Sequence, residues 1–344
     1  MATDNTAPGR DVAPDAVPAV HVSQLVKRYG DMVALDYFDL DVTQGEIFGL
    51  LGPNGSGKTT AINCILALLT YDSGTIRVLG QPMTPTSYAL KRRIGIVPQN
   101  VAVFNELTVT ENIDYFCSLY VPKKTDRAPL VEESIEFVGL QDFRKFRPGK
   151  LSGGLLRRLN IACGIAHKPD LIFFDEPTVA VDPQSRNSIL EGIQRLNQAG
   201  ATVIYTSHYM EEVEQICDRV MIMDHGRALA QGTPDELKRS IRTGERIVIE
   251  LEDPSGPRAR PGSRASDGDA LPTRELERLC ALPHVLDVSL AGNLLTVSCE
   301  ASEHNLTDVL ASLRAGNARL GRITCAPPTL NDVFLEITGR ELRD

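Results

Sequence analysis

The segment GPNGSGKTT, residues 52–60, constrains the fold of this chain more than any other feature. The apolar run GEIFGLL precedes it and suits a buried strand, while AINCILALL follows it with the length and spacing of a helix. Three glycines within six positions cost conformational entropy, which is tolerated where another group must approach the backbone closely. The segment is therefore predicted to be the loop of a strand–loop–helix unit.

This loop is predicted to bind polyphosphate. It matches the pattern G-x-x-x-x-G-K-[ST], in which backbone N–H groups and a helix N-terminus form a nest for phosphates. Lys58 is expected at the β- and γ-phosphates and the Thr59 hydroxyl at magnesium. A glycine-rich turn that only caps a helix is the alternative, but the flanking strand and helix favour phosphate. The residues predicted to bind nucleotide here are Gly52, Pro53, Asn54, Gly55, Ser56, Gly57, Lys58, Thr59 and Thr60.

Charge and hydropathy argue against two classes of protein. The chain has 344 residues, and its 36 Lys and Arg against 45 Asp and Glu give a formal net charge of -9. Nucleic-acid-binding proteins usually present a broad basic face, so no nucleic acid is expected as a partner. No apolar run approaches the ~20 residues that a membrane-spanning helix needs, so no span is predicted.

The cysteines are assigned no chemistry. They show no C-x-x-C pair and no histidine at zinc-site spacing. Several fall in apolar helix or strand patterns, which predicts buried free thiols.

The chain is predicted to have a tail and two domains. Residues 1–20 lack the order of a signal peptide and are expected to be a disordered Ala/Pro-rich tail. Residues 21–239 alternate strand-like and helical runs, which predicts an α/β fold with parallel strands and a ligand beyond their carboxyl ends. Within them, residues from about 105 to 168 hold only helical patterns and form a predicted helical subdomain.

Residues 240–344 have a different order of elements. The patterns read β-α-β-β-α-β, which predicts a small α+β domain of the ferredoxin-like type. Between its first strand and first helix, residues from about 253 to 272 are rich in Pro, Gly, Ser and charge. We expect a mobile loop there.

Two adjacent carboxylates end the strand pattern LIFFDEP, residues 171–177. Because side chains alternate along a strand, Asp175 and Glu176 are expected to have different tasks. Asp175 suits the outer shell of a magnesium ion, and Glu176 suits polarising an attacking water. The alternative, in which both acids only cap the next turn, is disfavoured once the phosphate loop is accepted.

Together GPNGSGKTT, LSGG about twenty residues before LIFFDEP, and TSH resemble the nucleotide-binding domain of ABC transporters. LSGG is the most specific element, since phosphate loops are widespread. The resemblance covers residues 21–239 and implies a P-loop NTPase fold with ATP and Mg²⁺ as cofactors. It also implies a homodimer in which each ATP lies between one chain's phosphate loop and the other chain's signature. The signature residues are Leu151, Ser152, Gly153 and Gly154.

Further roles follow from the resemblance, position by position. Tyr29 matches the aromatic residue that stacks on adenine. Gln99 matches the glutamine that touches magnesium and relays the nucleotide state to the membrane partner. Asp182 matches the aspartate of the loop that crosses the dimer interface. His208 matches the switch histidine at the γ-phosphate; a lone histidine at a strand end is more often structural, but its spacing after LIFFDEP favours the switch.

The signature departs from the usual pattern at two positions. Leu155 stands where glutamine is usual, and Leu156 stands where a charged residue is commoner. We expect weaker nucleotide or interface contacts, but a competent ATPase, because every acid, base and phosphate ligand is present.

The end of the chain carries a second resemblance. PPTLNDVFLEITGRELRD is similar to the tail of the ATPase subunits of daunorubicin-resistance exporters. This implies a separate permease of the ABC-2 type, export of a drug, lipid or polysaccharide, and a peripheral location on the cytoplasmic face of the membrane. The alternatives are a soluble ABC ATPase acting on nucleic acid or ribosomes and an importer ATPase. The first alternative is disfavoured, because this sequence shows neither the long coiled-coil insertion nor the second ATPase domain that such proteins usually have.

Overall fold

The structure is a computed structural model that describes residues 17–179, 181–251, 271, 273–300, 302, 304–316 and 318–339. Residues 1–16 of the predicted tail lie outside the described residues, as does the predicted mobile loop apart from Leu271. The end of the predicted tail is not disordered. Ala19 is fully buried, and Val20 begins the first strand because it pairs with Val42 and Val78 on either side.

The chain divides into two compact units between Pro234 and Asp235. The sequence analysis placed this boundary after Arg239. The difference arises because residues 235–239 continue one helix, Pro234–Ser240, which leads into the first strand of the second unit.

The first unit contains two sheets and seven α-helices in its described residues. Its strands are β1 (Val20–Tyr29), β2 (Met32–Val42), β3 (Ile47–Leu51), β4 (Ser73–Val78), β5 (Gln81–Pro82), β6 (Ile94–Val97), β7 (Leu171–Asp175), β8 (Thr202–Ser207), β9 (Arg219–Asp224) and β10 (Arg227–Gly232). Its helices are α1 (Lys58–Ile65), α2 (Tyr88–Lys91), α3 (Val109–Ser118), α4 (Lys124–Phe137), α5 (Gly153–Ile165), α6 (Pro183–Gln198) and α7 (Met210–Ile216).

The larger sheet has the order β10-β9-β3-β8-β7-β6. Its strands are parallel except for β10, which runs antiparallel to β9. β3, β7 and β8 are buried along their whole length, which explains their continuous apolar runs. The carboxyl ends of β3, β6, β7 and β8 therefore share one edge of the sheet, where the segments that follow them come together.

A second, antiparallel sheet was not predicted. It has the order β2-β1-β4-β5, and its inward face packs with α1 and the larger sheet in one apolar core. Phe38 from β2, Phe48 from β3 and Phe173 from β7 are fully buried in that core. Each such side chain contributes roughly 1.5–3 kcal/mol of burial free energy. The core thus connects the sheet that follows the N-terminus to the strand that precedes the phosphate loop.

The predicted helical subdomain corresponds to α3, α4 and α5, with two 3₁₀ turns before α5. These helices share a core of their own, which includes the fully buried side chains Ile113, Ile135 and Leu159. Thr108 and Glu111 form a capping box at the start of α3.

Helix α8 (Pro234–Ser240) crosses the boundary, with all but its first residue in the second unit. The described residues of the second unit contain one antiparallel sheet with the order β12-β13-β11-β14. Helices α9 and α10 contribute to the core on one face of this sheet, so the predicted order β-α-β-β-α-β is observed. Its remaining elements are β11 (Thr243–Leu251), α9 (Thr273–Cys280), β12 (Val285–Ala291), β13 (Leu294–Glu300), α10 (Asn305–Ala315), β14 (Leu320–Ala326) and α11 (Leu330–Thr338).

Candidate nucleotide site

The loop between β3 and α1 needs glycine where a side chain would collide. A Cβ atom on Gly52 would lie 2.2 Å from the carbonyl oxygen of Met223. Gly55 and Gly57 have φ angles of 82° and 108°, in the left-handed region that favours glycine. Because α1 begins directly after Gly57, its N-terminal N–H groups face the loop. The backbone here has the form of an anion nest.

The Lys58 side chain lies across this loop and contacts its backbone. Its amino group donates to the carbonyl oxygens of Gly52 at 2.7 Å and Pro53 at 3.1 Å, and it lies 3.7 Å from Glu176 Oε1. The side chain is only 4% exposed, and burial lowers the pKa of Lys58, while Glu176 and Asp175 act in the opposite direction. The cation thus points at the loop and is balanced by Asp175 at the end of β7 and by Glu176 directly after it.

Side-chain oxygens that can bind a magnesium ion lie close together beside the loop. Thr59 Oγ1 donates to Asp175 Oδ2 at 3.1 Å, and Thr206 Oγ1 donates to Asp175 Oδ1 at 2.8 Å. The side-chain amide of Gln99 approaches the same region from the end of β6. Mg²⁺ usually takes one or two protein oxygens and completes its shell with phosphate and water. The hydroxyl, carboxylate and amide oxygens of Thr59, Asp175 and Gln99 fit that requirement.

Glu176 follows β7 in a strained conformation. Its φ angle is 46°, unusual for a residue with a side chain, and its backbone N–H donates to Thr206 Oγ1 at 2.9 Å. Its Oε2 accepts a hydrogen bond from Gln99 Nε2 at 2.9 Å and lies 3.4 Å from His208 Nδ1. The structure therefore brings Glu176, Gln99, His208 and Lys58 together at the shared edge of the sheet.

A cleft of about 420 Å³ opens beside these residues. Tyr29 lies on its wall and is 43% exposed, with the amino group of Lys27 5.0 Å from its ring centroid. An exposed aromatic face in such a cleft can stack on a flat base. The cleft is lined by Tyr29, Met32, Val33, Ala34, Asn54, Gly55, Gly57, Lys58, Thr59, Thr60, Gln99, Glu176, His225 and Gly226.

Five lining residues of this cleft were not predicted: Met32, Val33, Ala34, His225 and Gly226. Met32, Val33 and Ala34 come from the start of β2, in the antiparallel sheet that sequence reasoning missed. Burial does not alternate along the first residues of β2, so this part of the sequence has no simple strand pattern that would predict a cleft wall.

The signature segment does not line the cleft of its own chain in the described structure. Ser152 is the N-cap of α5, and its hydroxyl accepts a hydrogen bond from the N–H of Leu155 at 3.4 Å. Ser152 and Gly153 are exposed, and a Cβ atom on Gly153 would meet nothing within 4 Å. Gly154 is buried, and a Cβ atom there would lie 2.5 Å from Ser185 Oγ. The helix tip thus presents an accessible serine and glycine.

Asp182 also lies apart from the cleft lining. It is the N-cap of α6, where its Oδ1 accepts from the N–H of Ser185 at 2.9 Å. This hydrogen bond lowers the pKa of Asp182. The aspartate is exposed next to Gly154, so the structure brings the start of α6 next to the tip of α5 within one chain.

Leu155, the unusual residue of the signature, packs against the core of the helical subdomain together with Leu151. An apolar side chain at this position therefore adds to the helix packing, where a glutamine would lose apolar burial. This contact gives a structural reason for the leucine.

Sequence reasoning also missed Arg157. This side chain of α5 is 3% exposed and donates to the carbonyl oxygens of Pro98, Gln99, Glu176 and Pro177. Burial lowers the pKa of Arg157, partly offset by Asp175 and Glu176. An arginine on the buried face of a helical pattern was the available signal. Arg157 fixes the signature helix to the segments that carry Gln99 and Glu176.

Both units of the chain are similar to known proteins. The family described as "ABC transporter" matches residues 35–179, and "ATP-binding protein DrrA1-3-like, C-terminal domain" matches residues 232–338. The linearmycin resistance ATP-binding protein LnrL of Bacillus subtilis is 38% identical over 327 residues, covering 94% of this chain and 100% of that protein. The Nod factor export ATP-binding protein I of Rhizobium meliloti is 36% identical, covering 96% of this chain and 92% of that protein.

Solved structures share the fold of the first unit. A dimeric ATP-binding cassette in a post-hydrolysis state, bound to ADP and Pi, superposes with a TM-score of 0.57 at 25% identity. The match covers 62% of this chain and 98% of that one. None of the helices among the described residues is long and apolar enough to cross a bilayer. The chain therefore belongs to the ATP-binding subunits of ABC transporters, and it is an ATP-hydrolysing subunit of the exporter type with a DrrA1-3-like C-terminal domain.

Proposed function

We propose that ATP binds in the cleft with adenine on Tyr29 and its phosphates on the loop from Gly52 to Thr60. Lys58 neutralises the terminal phosphates, and Glu176 polarises the attacking water. His208 contacts the γ-phosphate. The observation that carries this assignment is the convergence of Lys58, Gln99 and His208 on the Glu176 carboxylate within 3.7 Å.

Magnesium would be held by Thr59 and Gln99, with Asp175 behind Thr59. The contact of 3.1 Å between Thr59 and Asp175 supports this arrangement. The ion supplies charge neutralisation on the phosphate oxygens when bound. Asp175 orients the Thr59 hydroxyl, and Thr206 orients Asp175.

The active form in this proposal is a dimer of two copies. Ser152 and Gly153 are exposed at the tip of α5, where N–H groups attract anions, yet they lie outside the cleft of their own chain. A second copy can present this tip to the terminal phosphate. The dimeric cassette with ADP and Pi supports this arrangement, because it is a relative by fold. Asp182 would lie at the same interface.

The membrane partner is proposed to be a separate permease of the ABC-2 type. Phe104, Tyr115 and Phe116 form an aromatic patch between the segment after Gln99 and α3, with ring centroids 4.8–5.8 Å apart. Phe104 and Tyr115 are more than 40% exposed, so this patch can receive an apolar cytoplasmic segment. The chain would then act at the cytoplasmic face of the membrane. A drug, lipid or polysaccharide is proposed as the cargo; the relatives named above are assigned to linearmycin resistance and to Nod factor export.

The Glu176→Gln variant tests the assignment. It removes the base and keeps the shape, so we expect ATP affinity within about threefold of the unchanged protein and turnover reduced at least ~100-fold. ATP should then trap a dimer, detected by light scattering after gel filtration. Glu211→Gln, an exposed acid on α7, is the matched control and should hydrolyse ATP normally. Wild-type turnover by Glu176→Gln would refute the role of Glu176.

A further inference from the structure

Glu212 is a buried acid to which the proposed reaction assigns no role. It lies on α7, four residues after His208, and its side chain is 3% exposed. Burying a carboxylate is costly unless hydrogen bonds and an opposite charge compensate it. We therefore expect hydrogen-bond donors and a positive charge around the Glu212 carboxylate.

One oxygen of Glu212 accepts hydrogen bonds from three hydroxyl groups. Oε2 accepts hydrogen bonds from Tyr205 at 2.6 Å, Thr178 at 2.8 Å and Ser207 at 3.0 Å. Burial, with a further contribution from Glu212, raises the pKa of Tyr205 well above its usual value, so the phenol remains a donor. The other oxygen, Oε1, lies 3.3 Å from Arg186 Nε on α6.

These contacts reach both segments of the proposed chemistry. Thr178 is two residues after Glu176, in the turn that follows β7. Ser207 immediately precedes His208, and its hydroxyl accepts a hydrogen bond from the N–H of Tyr209 at 2.9 Å. The backbone is thus anchored on both sides of His208.

The fourth contact comes from the helix that follows the interface loop. The Arg186 guanidinium carbon lies 4.6 Å from the ring centroid of Tyr209, so Arg186 contacts both Glu212 and the residue after His208. Arg186 is one helical turn after Asp182, to whose carbonyl oxygen its N–H donates at 2.9 Å.

The backbone of Glu176 requires neighbouring contacts such as these hydrogen bonds to hold its conformation. Its left-handed φ angle of 46° persists only if neighbouring contacts hold it. A displacement of about 1 Å in a reacting group lowers a rate by up to roughly 100-fold. The Glu212 carboxylate hydrogen-bonds both to the turn after Glu176 and to the segment before His208.

We propose that Glu212 is a positioning residue for ATP hydrolysis, which holds the segments of Glu176 and His208 in register through Thr178 and Ser207. This inference rests on the roles proposed above for Glu176 and His208. Glu212 itself contacts no nucleotide in this scheme. Its loss should therefore reduce kcat and leave nucleotide binding nearly intact.

The test compares Glu212→Gln with Glu46→Gln in the full chain. Glu46 is also a buried glutamate paired with an arginine, Arg219, at 3.2 Å, but it lies before β3 at the opposite end of that strand from the phosphate loop. We expect Glu212→Gln to lower kcat about 10- to 100-fold with the KM for ATP within about threefold. Glu46→Gln should keep kcat within about twofold, whatever stability it loses.

Two milder variants keep the test decisive if Glu212→Gln does not fold. Ser207→Ala and Thr178→Val each remove one donor to Glu212 and leave the ion pair with Arg186. Each should lower kcat about 3- to 10-fold without weakening binding of a fluorescent ATP analogue.

A folded Glu212→Gln with kcat within twofold would overturn the inference, and so would an equal loss of kcat in Glu46→Gln. Unchanged kcat in both Ser207→Ala and Thr178→Val would also overturn it. Glu176→Gln is assayed alongside, since normal turnover by that variant would refute the proposed function instead. An inactive Glu176→Gln beside a fully active Glu212→Gln refutes only the role of Glu212.

Discussion

Lys58 shows how one residue depends on both its loop and a distant strand. Its amino group is held by the carbonyl oxygens of Gly52 and Pro53, which are part of the same loop. Its charge is balanced by Glu176, which is more than a hundred positions later in the chain. The lysine is thus oriented before any phosphate arrives, and little of its side-chain entropy remains to be lost on binding.

We predict that Lys58→Ala weakens ATP binding roughly 10- to 150-fold, because a charge-assisted hydrogen bond contributes about 1.5–3 kcal/mol. Titration with a fluorescent ATP analogue measures this. Lys168→Ala removes an exposed lysine whose partner is Glu133, and it should leave the affinity unchanged. Wild-type affinity in Lys58→Ala would contradict the phosphate site.

At the scale of elements, α5 joins the helical subdomain to the sheet. Its apolar face packs in the core with Ile113 and Ile135, while Arg157 donates to backbone carbonyls after β6 and β7. The signature at its N-terminus is therefore rigidly connected to the segments of Gln99 and Glu176. Any shift of α5 must move those segments with it or break these hydrogen bonds.

Arg157→Met is expected to lower kcat more than about tenfold and to lower the thermal midpoint by several degrees, because buried carbonyl oxygens lose their donors. Phosphate release and thermal unfolding measure the two effects. Arg158→Met changes the next residue of α5, which is half-buried, and should affect both quantities much less. An equal effect of the two variants would contradict the role given to the buried hydrogen bonds of Arg157.

At the scale of the whole molecule, the proposed dimer would complete the ATP site. In the described structure the exposed Ser152 and Gly153 lie outside the cleft that holds Lys58. An oligomer with two-fold symmetry would pair each tip with the opposite cleft, so one dimer would contain two equivalent sites. In a dimer of one copy with a defective phosphate loop and one copy with a defective signature, both defects would fall on the same site and the other site would be intact.

Mixing Lys58→Ala with Gly153→Asp tests this pairing. The side chain added at Gly153 meets open space, so the variant should fold. Each variant alone should be inactive, whereas random mixing makes about half of the dimers mixed, each with one intact site and thus roughly a quarter of the original activity. A mixture as inactive as its components would contradict a shared site.

How much of the site could be read from the sequence depended on the distance between its parts. The phosphate loop and the pair Asp175 and Glu176 are each built from neighbouring residues with local backbone requirements, so short patterns predicted them. The role of the helix tip at Ser152 was predicted from the family resemblance. The parallel strands followed from continuous apolar runs. The antiparallel sheet escaped because β1 and β2 contain bulges that break simple alternation.

The sequence by itself determined which chemical groups this protein has and on which element each lies, because loop geometry and strand or helix periodicity are local. The tertiary structure alone decided which of those groups meet. Arg157 and Glu212 bind segments that are far apart in the chain, and no local pattern distinguishes them from other charged residues. Burial is the physical reason, since a charge removed from water must find its partners wherever the fold places them.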